Sequence, residues 1–153
     1  MKKSLNIIII SLAALLFASC GMEVDWCPVI VSFCVQDSDG NDLLDPANES
    51  FIGDQIILSY NGSEYMYSIP TKTYLPVFFG FTIDKDSQSD KYCARFGELN
   101  GEYDYDDDFL ITFPDGSSKT IHYDRKVSHL TISARQKWSL DGEKVDYPVI
   151  ITY

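Results

Sequence analysis

Oxygen-bearing side chains stand at alternate positions in the segment Asp37-x-Asp39-x-Asn41. Carboxylates and amides with this spacing are the first three ligands of a calcium-binding loop. The rest of that motif is missing, because its sixth position is Asp42 instead of Gly and its twelfth is Asn48 instead of Glu. The same residue types are typical of a tight turn with Asx-type hydrogen bonds to the backbone. We therefore predict a turn here and no metal site.

A second acidic segment, residues 102–108, holds five carboxylates in seven residues. Their mutual repulsion forbids burial, which favours a solvated loop. The functional alternatives are a divalent-ion site or an acidic contact for a basic partner, with Tyr103 and Tyr105 as anchors. Because these tyrosines alternate with the acids and scatter the carboxylates, we expect weak, salt-screened cation binding and no tightly bound metal.

Two histidines are the remaining candidates for acid–base chemistry. His122 is out of phase with the apolar Ile121 and Tyr123, so we expect it to face solvent, and His129 stands near the start of a predicted strand. The serine elbow, zinc-binding helix and phosphate-binding glycine loop of common enzyme classes do not occur in the sequence. We predict a protein that is not an enzyme, with no catalytic residue and no cofactor.

Three cysteines follow Cys20 in the chain. In an exported protein, Cys27, Cys34 and Cys93 form at most one disulfide. The residues between Cys27 and Cys34 are typical of an extended strand, and seven steps of ~3.3 Å hold those two about 23 Å apart, too far for a bridge. Any bridge is therefore expected to involve Cys93. The alternative is that all three are small apolar residues with free thiols.

The first twenty residues predict where the protein is sent. Lys2 and Lys3 precede a run, 7–18, that is apolar apart from one serine. This is the pattern of a secretory signal peptide, and twelve helical residues reach only about 18 Å, short of a ~30 Å hydrocarbon core. The ending Phe17-Ala18-Ser19-Cys20 resembles a bacterial lipobox, with Phe where Leu is usual. The resemblance implies removal of residues 1–19 and lipidation of Cys20.

Processing before Cys20 would leave a tether over residues 20–28 and one domain over 29–153. The chain has 12 Lys and Arg and 23 Asp and Glu, so loss of Lys2 and Lys3 leaves 10 basic residues and a net charge of −13. Such a charge repels nucleic acids and anionic headgroups. We expect membrane attachment through the lipid anchor alone, and no nucleic-acid partner.

Short runs of alternating apolar and polar residues indicate half-buried strands throughout the mature chain. We predict strands over residues 29–35, 55–60, 64–69, 77–83, 92–96, 109–113, 121–123, 130–134 and 149–153. Turn residues separate them, most clearly at Asn61-Gly62, which suits a type I′ hairpin, and also at Pro114-Asp115-Gly116 and Asp141-Gly142. No window has the apolar spacing of a helix. The pattern predicts an all-β fold, a single antiparallel β-sandwich.

Three tyrosines are candidates for a binding rim. Tyr65 and Tyr67 share a strand face opposite Met66, and Tyr74 stands in a loop bounded by prolines. Exposed tyrosines can stack on sugar rings or anchor a protein contact. The other interpretation is that they belong to ordinary sheet faces in the core.

The segment 31–44, a strand ending in an Asp-x-x-Gly turn, resembles the start of transthyretin-like and carboxypeptidase-regulatory-like modules. With the lipobox and the turns at 113–116 and 138–142, the whole chain resembles small uncharacterised surface lipoproteins of Bacteroidetes. That resemblance implies a location at the outer membrane or cell surface and an immunoglobulin-like or transthyretin-like sandwich. It implies no activity.

Our leading hypothesis is a non-catalytic, lipid-anchored outer-membrane or cell-surface protein that displays one β-sandwich as a recognition or accessory module for a glycan or protein ligand. The alternative is a structural component of an adhesin or envelope assembly that acts by edge-strand pairing. A third and weaker hypothesis is an enzyme or an enzyme inhibitor.

Overall fold

Ten β-strands make up most of the described residues, 26–69 and 80–153, of this computed structural model. They are β1 (Val29–Gln36), β2 (Ile57–Tyr60), β3 (Ser63–Met66), β4 (Thr82–Lys85), β5 (Tyr92–Leu99), β6 (Tyr105–Thr112), β7 (Ser118–Ser128), β8 (Ser133–Leu140), β9 (Glu143–Val145) and β10 (Val149–Thr152). One turn of 3-10 helix spans Gly53–Gln55. Within these ranges no helix has the length and apolar character needed to cross a membrane.

The strands form a four-stranded sheet, ordered β10-β1-β5-β4, and a six-stranded sheet, ordered β3-β2-β6-β7-β8-β9. The two sheets pack face to face, which confirms the predicted all-β sandwich. The finer assignment to an immunoglobulin-like or transthyretin-like type stays a prediction.

Side chains at alternate strand positions fill the space between the sheets. Val31, Phe33 and Val35 point inward from β1, as their period of two predicts, and Phe109 and Tyr123 point inward from the other sheet. Each is fully buried, and burial of a side chain of this size stabilises the fold by about 1.5–3 kcal/mol. The core is thus built from the residues that the alternation selects.

The turn predicted at Asn61-Gly62 is confirmed between β2 and β3. Asn61 has φ of 51° and Gly62 has φ of 74°, the two positive values that a type I′ turn requires. Asp141 and Gly142 repeat the pattern between β8 and β9, with φ of 51° and 85°. Both hairpins therefore form where the sequence places residues that tolerate the left-handed region.

One ladder departs from the antiparallel prediction. β10 pairs with β1 in parallel, with Phe33 opposite Val149 and Gln36 opposite Thr152. Alternation of apolar residues reports which side chains face the core, but it carries no information about the direction of the neighbouring strand.

The strand predicted over 130–134 is wrong in its first half. β7 continues to Ser128, which pairs with Ser133 at the start of β8, so residues 129–132 form the tip of a hairpin. Leu130 is 95% exposed there. The Thr131 hydroxyl lies 2.8 Å from Ser128 Oγ and 2.7 Å from Ser133 Oγ, a network that closes the tip.

The acidic segment 102–108 is only partly a loop. β6 begins at Tyr105, so Asp106, Asp107 and Asp108 lie in a strand paired with β7. Mutual repulsion of the carboxylates does not require a loop, because a strand alternates its side chains between two faces. Asp106 and Asp108 both point to solvent from β6.

Several predictions lie outside the described residues: the signal peptide over 1–19, the lipidation site Cys20, and the proline-bounded loop with Tyr74. The strand predicted over 77–83 is described only from residue 80. There Phe81 is fully buried and β4 starts at the next residue.

A disulfide joins Cys34 of β1 to Cys93 of β5, which are directly opposite in the ladder. This confirms that the bridge involves Cys93 and corrects the alternative in which all three thiols are free; Cys27 is free and exposed. The bridge lies on the outer face of the four-stranded sheet, yet both cysteines are fully buried. Ser89 covers them, with its hydroxyl 3.9 Å from Cys34 Sγ and 3.7 Å from Cys93 Sγ.

Replacement of both bridged cysteines, Cys34→Ala with Cys93→Ala, should lower the free energy of unfolding by about 2–4 kcal/mol. The bridge joins cysteines that are 59 positions apart, so it restricts the conformations of the unfolded chain between them. Loss of the bridge raises the conformational entropy of the unfolded state and thereby favours unfolding. Urea denaturation followed by circular dichroism measures the change. Cys27→Ala is the matched control and should leave stability unchanged; equal stability of the double variant and this control would contradict the bridge.

Candidate functional site

The end of the sandwich at which the chain enters β1 brings together residues far apart in sequence. β1 begins there, the connection from β5 to β6 crosses it, and β7 ends there. The short segment 26–28 lies across this end. Gly101 allows its approach, because a Cβ at that position would stand 2.2 Å from the Cys27 carbonyl oxygen. The N-terminal segment is therefore held close to the β5–β6 connection.

Arg125 is a charged residue that is buried at this end of the sandwich. The alternation of β7 directs Ile121, Tyr123 and Arg125 inward, and Arg125 is only 3% exposed. Its Nη2 donates a hydrogen bond to the carbonyl oxygen of Gly101. The guanidinium carbon lies 5.8 Å from the ring centroid of Trp26, in a cation–π contact. The arginine thus links β7 to both the connection and the entering segment.

Two buried polar atoms beside this contact have no hydrogen-bond partner among the described residues, Arg125 Nε and the Tyr123 hydroxyl. The ion pairs found within the described ranges do not include Arg125. Burial raises the pKa of Tyr123, and the nearby guanidinium opposes that rise. A buried cation without a carboxylate is costly, so the carbonyl of Gly101 and the Trp26 ring are its main compensation.

Trp26 also contacts the next hairpin. Its ring centroid lies 6.2 Å from that of His129 in an edge-to-face arrangement. Trp26 therefore contacts both β7, through Arg125, and the tip of the hairpin between β7 and β8, through His129. Sequence reasoning did not single out Arg125, although its phase with Ile121 and Tyr123 was a signal that it faces inward.

A second cluster lies on the outer face of the six-stranded sheet. His122 Nδ1 is 2.9 Å from Asp108 Oδ1, and its Nε2 is 3.5 Å from Asp106 Oδ1. The middle acid, Asp107, points to the other face and accepts a hydrogen bond from the Tyr60 hydroxyl. Burial, together with the charge of Asp107, raises the pKa of Tyr60 to about 12. In the described ranges no three His, Cys, Asp or Glu side chains converge as metal ligands.

The end of the sandwich opposite Trp26 is formed by turns that aspartates cap. Asp37 Oδ1 accepts hydrogen bonds from the backbone amides of Asp39 and Asn41, at 2.9 and 2.8 Å, which confirms the Asx turn predicted there. The Asn41 side chain and amide hold the pKa of Asp37 below its usual value. Asp86 caps another turn in the same way, and hydrogen bonds from the Ser89 amide and hydroxyl lower its pKa. Asp141 instead accepts hydrogen bonds from Lys119 Nζ and the Thr120 amide of β7, which lower its pKa.

Of the two interpretations of the tyrosines, the binding rim is wrong for the two that the structure describes. Tyr65 packs against Phe96, with ring centroids 4.7 Å apart, and Tyr67 packs against Phe51 and Phe81. Both are half-buried, so the core interpretation is confirmed.

Comparisons of the chain with protein-family models, with curated proteins and with solved structures found no match. The resemblance to Bacteroidetes lipoproteins stays a prediction. What the protein does must therefore be inferred from its own geometry.

The contact between Trp26 and Arg125 predicts that Trp26→Ala lowers the free energy of unfolding by about 1–3 kcal/mol, because it removes a cation–π contact and apolar cover from a buried cation. Urea denaturation measures the change. Tyr103→Ala is the control, since Tyr103 is 58% exposed at the same end, and should change stability by less than about 0.5 kcal/mol. Equal stability of the two variants would show that the segment 26–28 does not dock.

Proposed function

We propose that the protein is a non-catalytic lipoprotein, anchored through Cys20 at the outer membrane or cell surface, that displays its sandwich as a recognition or accessory module. The observation that carries the proposal is the docked segment at Trp26. Only residues 21–25 separate it from Cys20. A lipid on Cys20 would hold this end of the sandwich near the bilayer and turn the other end away from it.

The disulfide between Cys34 and Cys93 supports export. Disulfides persist in oxidising compartments outside the cytoplasm and are rare in cytosolic proteins. This one is fully buried beneath Ser89, which is the environment of a structural bridge and not of a reactive thiol pair.

The carboxylates support a role without catalysis. A general acid at neutral pH needs a raised pKa, whereas the pKa values of Asp37, Asp86, Asp115 and Asp141 are lowered by the groups that hydrogen-bond to them. These acids stabilise turns. His122 lies on an exposed sheet face between carboxylates that are themselves open to water.

The outer face of the six-stranded sheet is the surface that best suits recognition. Its strands hold exposed charged side chains in fixed register, with Asp108 opposite His122 and Asp124 opposite Lys137. Surface ion pairs of this kind add little to the free energy of unfolding. Stability alone therefore does not account for the charged side chains on this face. A face of exposed donors and acceptors suits a protein or a glycan, and the mature net charge of −13 argues against nucleic acid.

The alternative, a structural component of an adhesin or envelope assembly, is favoured by one feature, the edge strand β10. The edge strands β4 and β9 include charged residues, Lys85 and Glu143 among them, which discourage pairing with another chain. β10, with the sequence VIIT, has no charge, and its Ile150 is 44% exposed.

Lipidation is tested directly by Cys20→Ala. The variant should fail to incorporate labelled fatty acid and should appear in soluble fractions, because Cys20 supplies the thiol and amine that are acylated. Cys27→Ala, which removes the free thiol of the docked segment, is the control and should keep the label. Incorporation of fatty acid into Cys20→Ala would overturn the anchor.

Edge pairing is tested by Ile150→Lys, which puts a charge on β10 without disturbing the core. If the structural role is correct, cross-linking to envelope proteins in cells should fall several-fold, whereas Met66→Lys, at a similarly exposed position of β3, should not reduce it. If the protein is a recognition module that does not use this edge, both variants should bind the ligand and cross-link like the original chain.

A further inference from the structure

We propose that the hairpin tip between β7 and β8, with Tyr103 beside it, docks onto the surface of a lipid bilayer. The contact would be made by Leu130, Ile132 and Tyr103. The proposal rests on the lipid anchor at Cys20, since the anchor brings this end of the sandwich to the membrane. Docking would fix the orientation of the module instead of leaving it free on its tether.

The apolar exposure at this end is concentrated. Leu130 is 95% exposed, Tyr103 58% and Ile132 43%, on two neighbouring connections that both cross the same end of the sandwich. Single exposed apolar residues are ordinary on protein surfaces, but a group of them marks an interaction site. The hydroxyl network of Thr131 closes the tip and leaves Leu130 in solvent.

The position of the tip relative to the anchor identifies the bilayer as the partner. Trp26, which contacts His129 edge to face, is six residues after Cys20. Six residues span at most about 20 Å, whereas the eleven residues of β7 extend about 36 Å. The end with Leu130 is therefore within reach of the membrane surface, and the opposite end is held away from it.

The charge distribution favours the same orientation. Residues 129–135 include no acid. Of the two acids beside Tyr103, Asp104 is paired with Lys126, whose Nζ lies 3.7 Å from it, and Glu102 is exposed. The opposite end presents Asp37 and Asp39, which are in no ion pair among the described residues and which phosphate headgroups repel. Tyrosine suits the membrane interface because it joins an apolar ring to a polar hydroxyl.

Depth-dependent quenching in vesicles tests the docking. Residues 21–153, which include every described strand, are tethered by an N-terminal hexahistidine to phosphatidylcholine vesicles that contain a nickel-chelating lipid and a brominated phosphatidylcholine. In a Cys27→Ser background, a fluorophore is attached at Leu130→Cys or, as control, at Ser117→Cys in a turn of the opposite end. We expect several-fold stronger quenching at position 130. Equal quenching at both positions would overturn the proposal.

A second variant tests whether the apolar residues cause the contact. Ile132→Asp with Tyr103→Asp should reduce quenching of the label at position 130 to the level of the label at 117. Met66→Asp, at another exposed apolar position, should leave it unchanged. Quenching that survives the double variant would also overturn the proposal.

The hexahistidine replaces the native anchor, so the outcome at Leu130 does not depend on whether Cys20 is acylated. Failure of lipidation appears as absent fatty-acid label on the native chain, and failure of docking appears as equal quenching in the tethered one. A tip that serves a protein partner instead of lipid would give the second result.

Discussion

The pairing of β1 with a neighbour on each side is the constraint on which the remaining structure depends. β5 pairs with it in antiparallel and β10 in parallel, so the first and last strands of the domain are adjacent. Its inward residues, Phe33 among them, cover the core, while Cys34 faces outward and is bridged to Cys93. β1 therefore takes part in backbone hydrogen bonds, in apolar packing and in a disulfide. Each of these interactions connects residues that are distant in sequence.

The start of β1 also determines which end of the sandwich is closed by the entering segment. Arg125 is buried at that end because the alternation of β7 directs it inward, and a buried guanidinium needs partners. Trp26 and the carbonyl of Gly101 supply them. The docked segment and the buried arginine thus stabilise each other.

Much of this fold could be predicted from local residue types. Alternation identified Phe33 and Tyr123 as inward, and Asn61-Gly62 defined a hairpin because both residues accept positive φ. The direction of β10 could not be predicted, since a strand's own residues do not encode the direction of its neighbour. The same limit applied to Leu130, whose alternation suggested a strand although the pairing of β7 with β8 left it at a tip.

The candidate site was harder to predict than the fold, for an electrostatic reason. Alternation places Arg125 in phase with Ile121 and Tyr123, whereas its charge favours solvent, and the sequence alone does not decide between the two. The burial depends on Trp26, 99 positions earlier in the chain. Local patterns report what a residue prefers, but only the tertiary fold shows whether a distant partner offsets the desolvation of a charge.

The aspartates at the end of the sandwich opposite Trp26 and those on the outer face of the six-stranded sheet differ in how many hydrogen-bond acceptor sites remain free for a partner. Asp37 already accepts two backbone amides and the Asn41 side chain, so it acts on a partner mainly through long-range charge, which salt screens beyond about 8 Å. Asp108 has one contact with His122, and an ionised carboxylate offers about four acceptor sites. In the proposed recognition role, new hydrogen bonds to a ligand would form at the outer face of the six-stranded sheet, which docking at Leu130 would leave exposed to solvent.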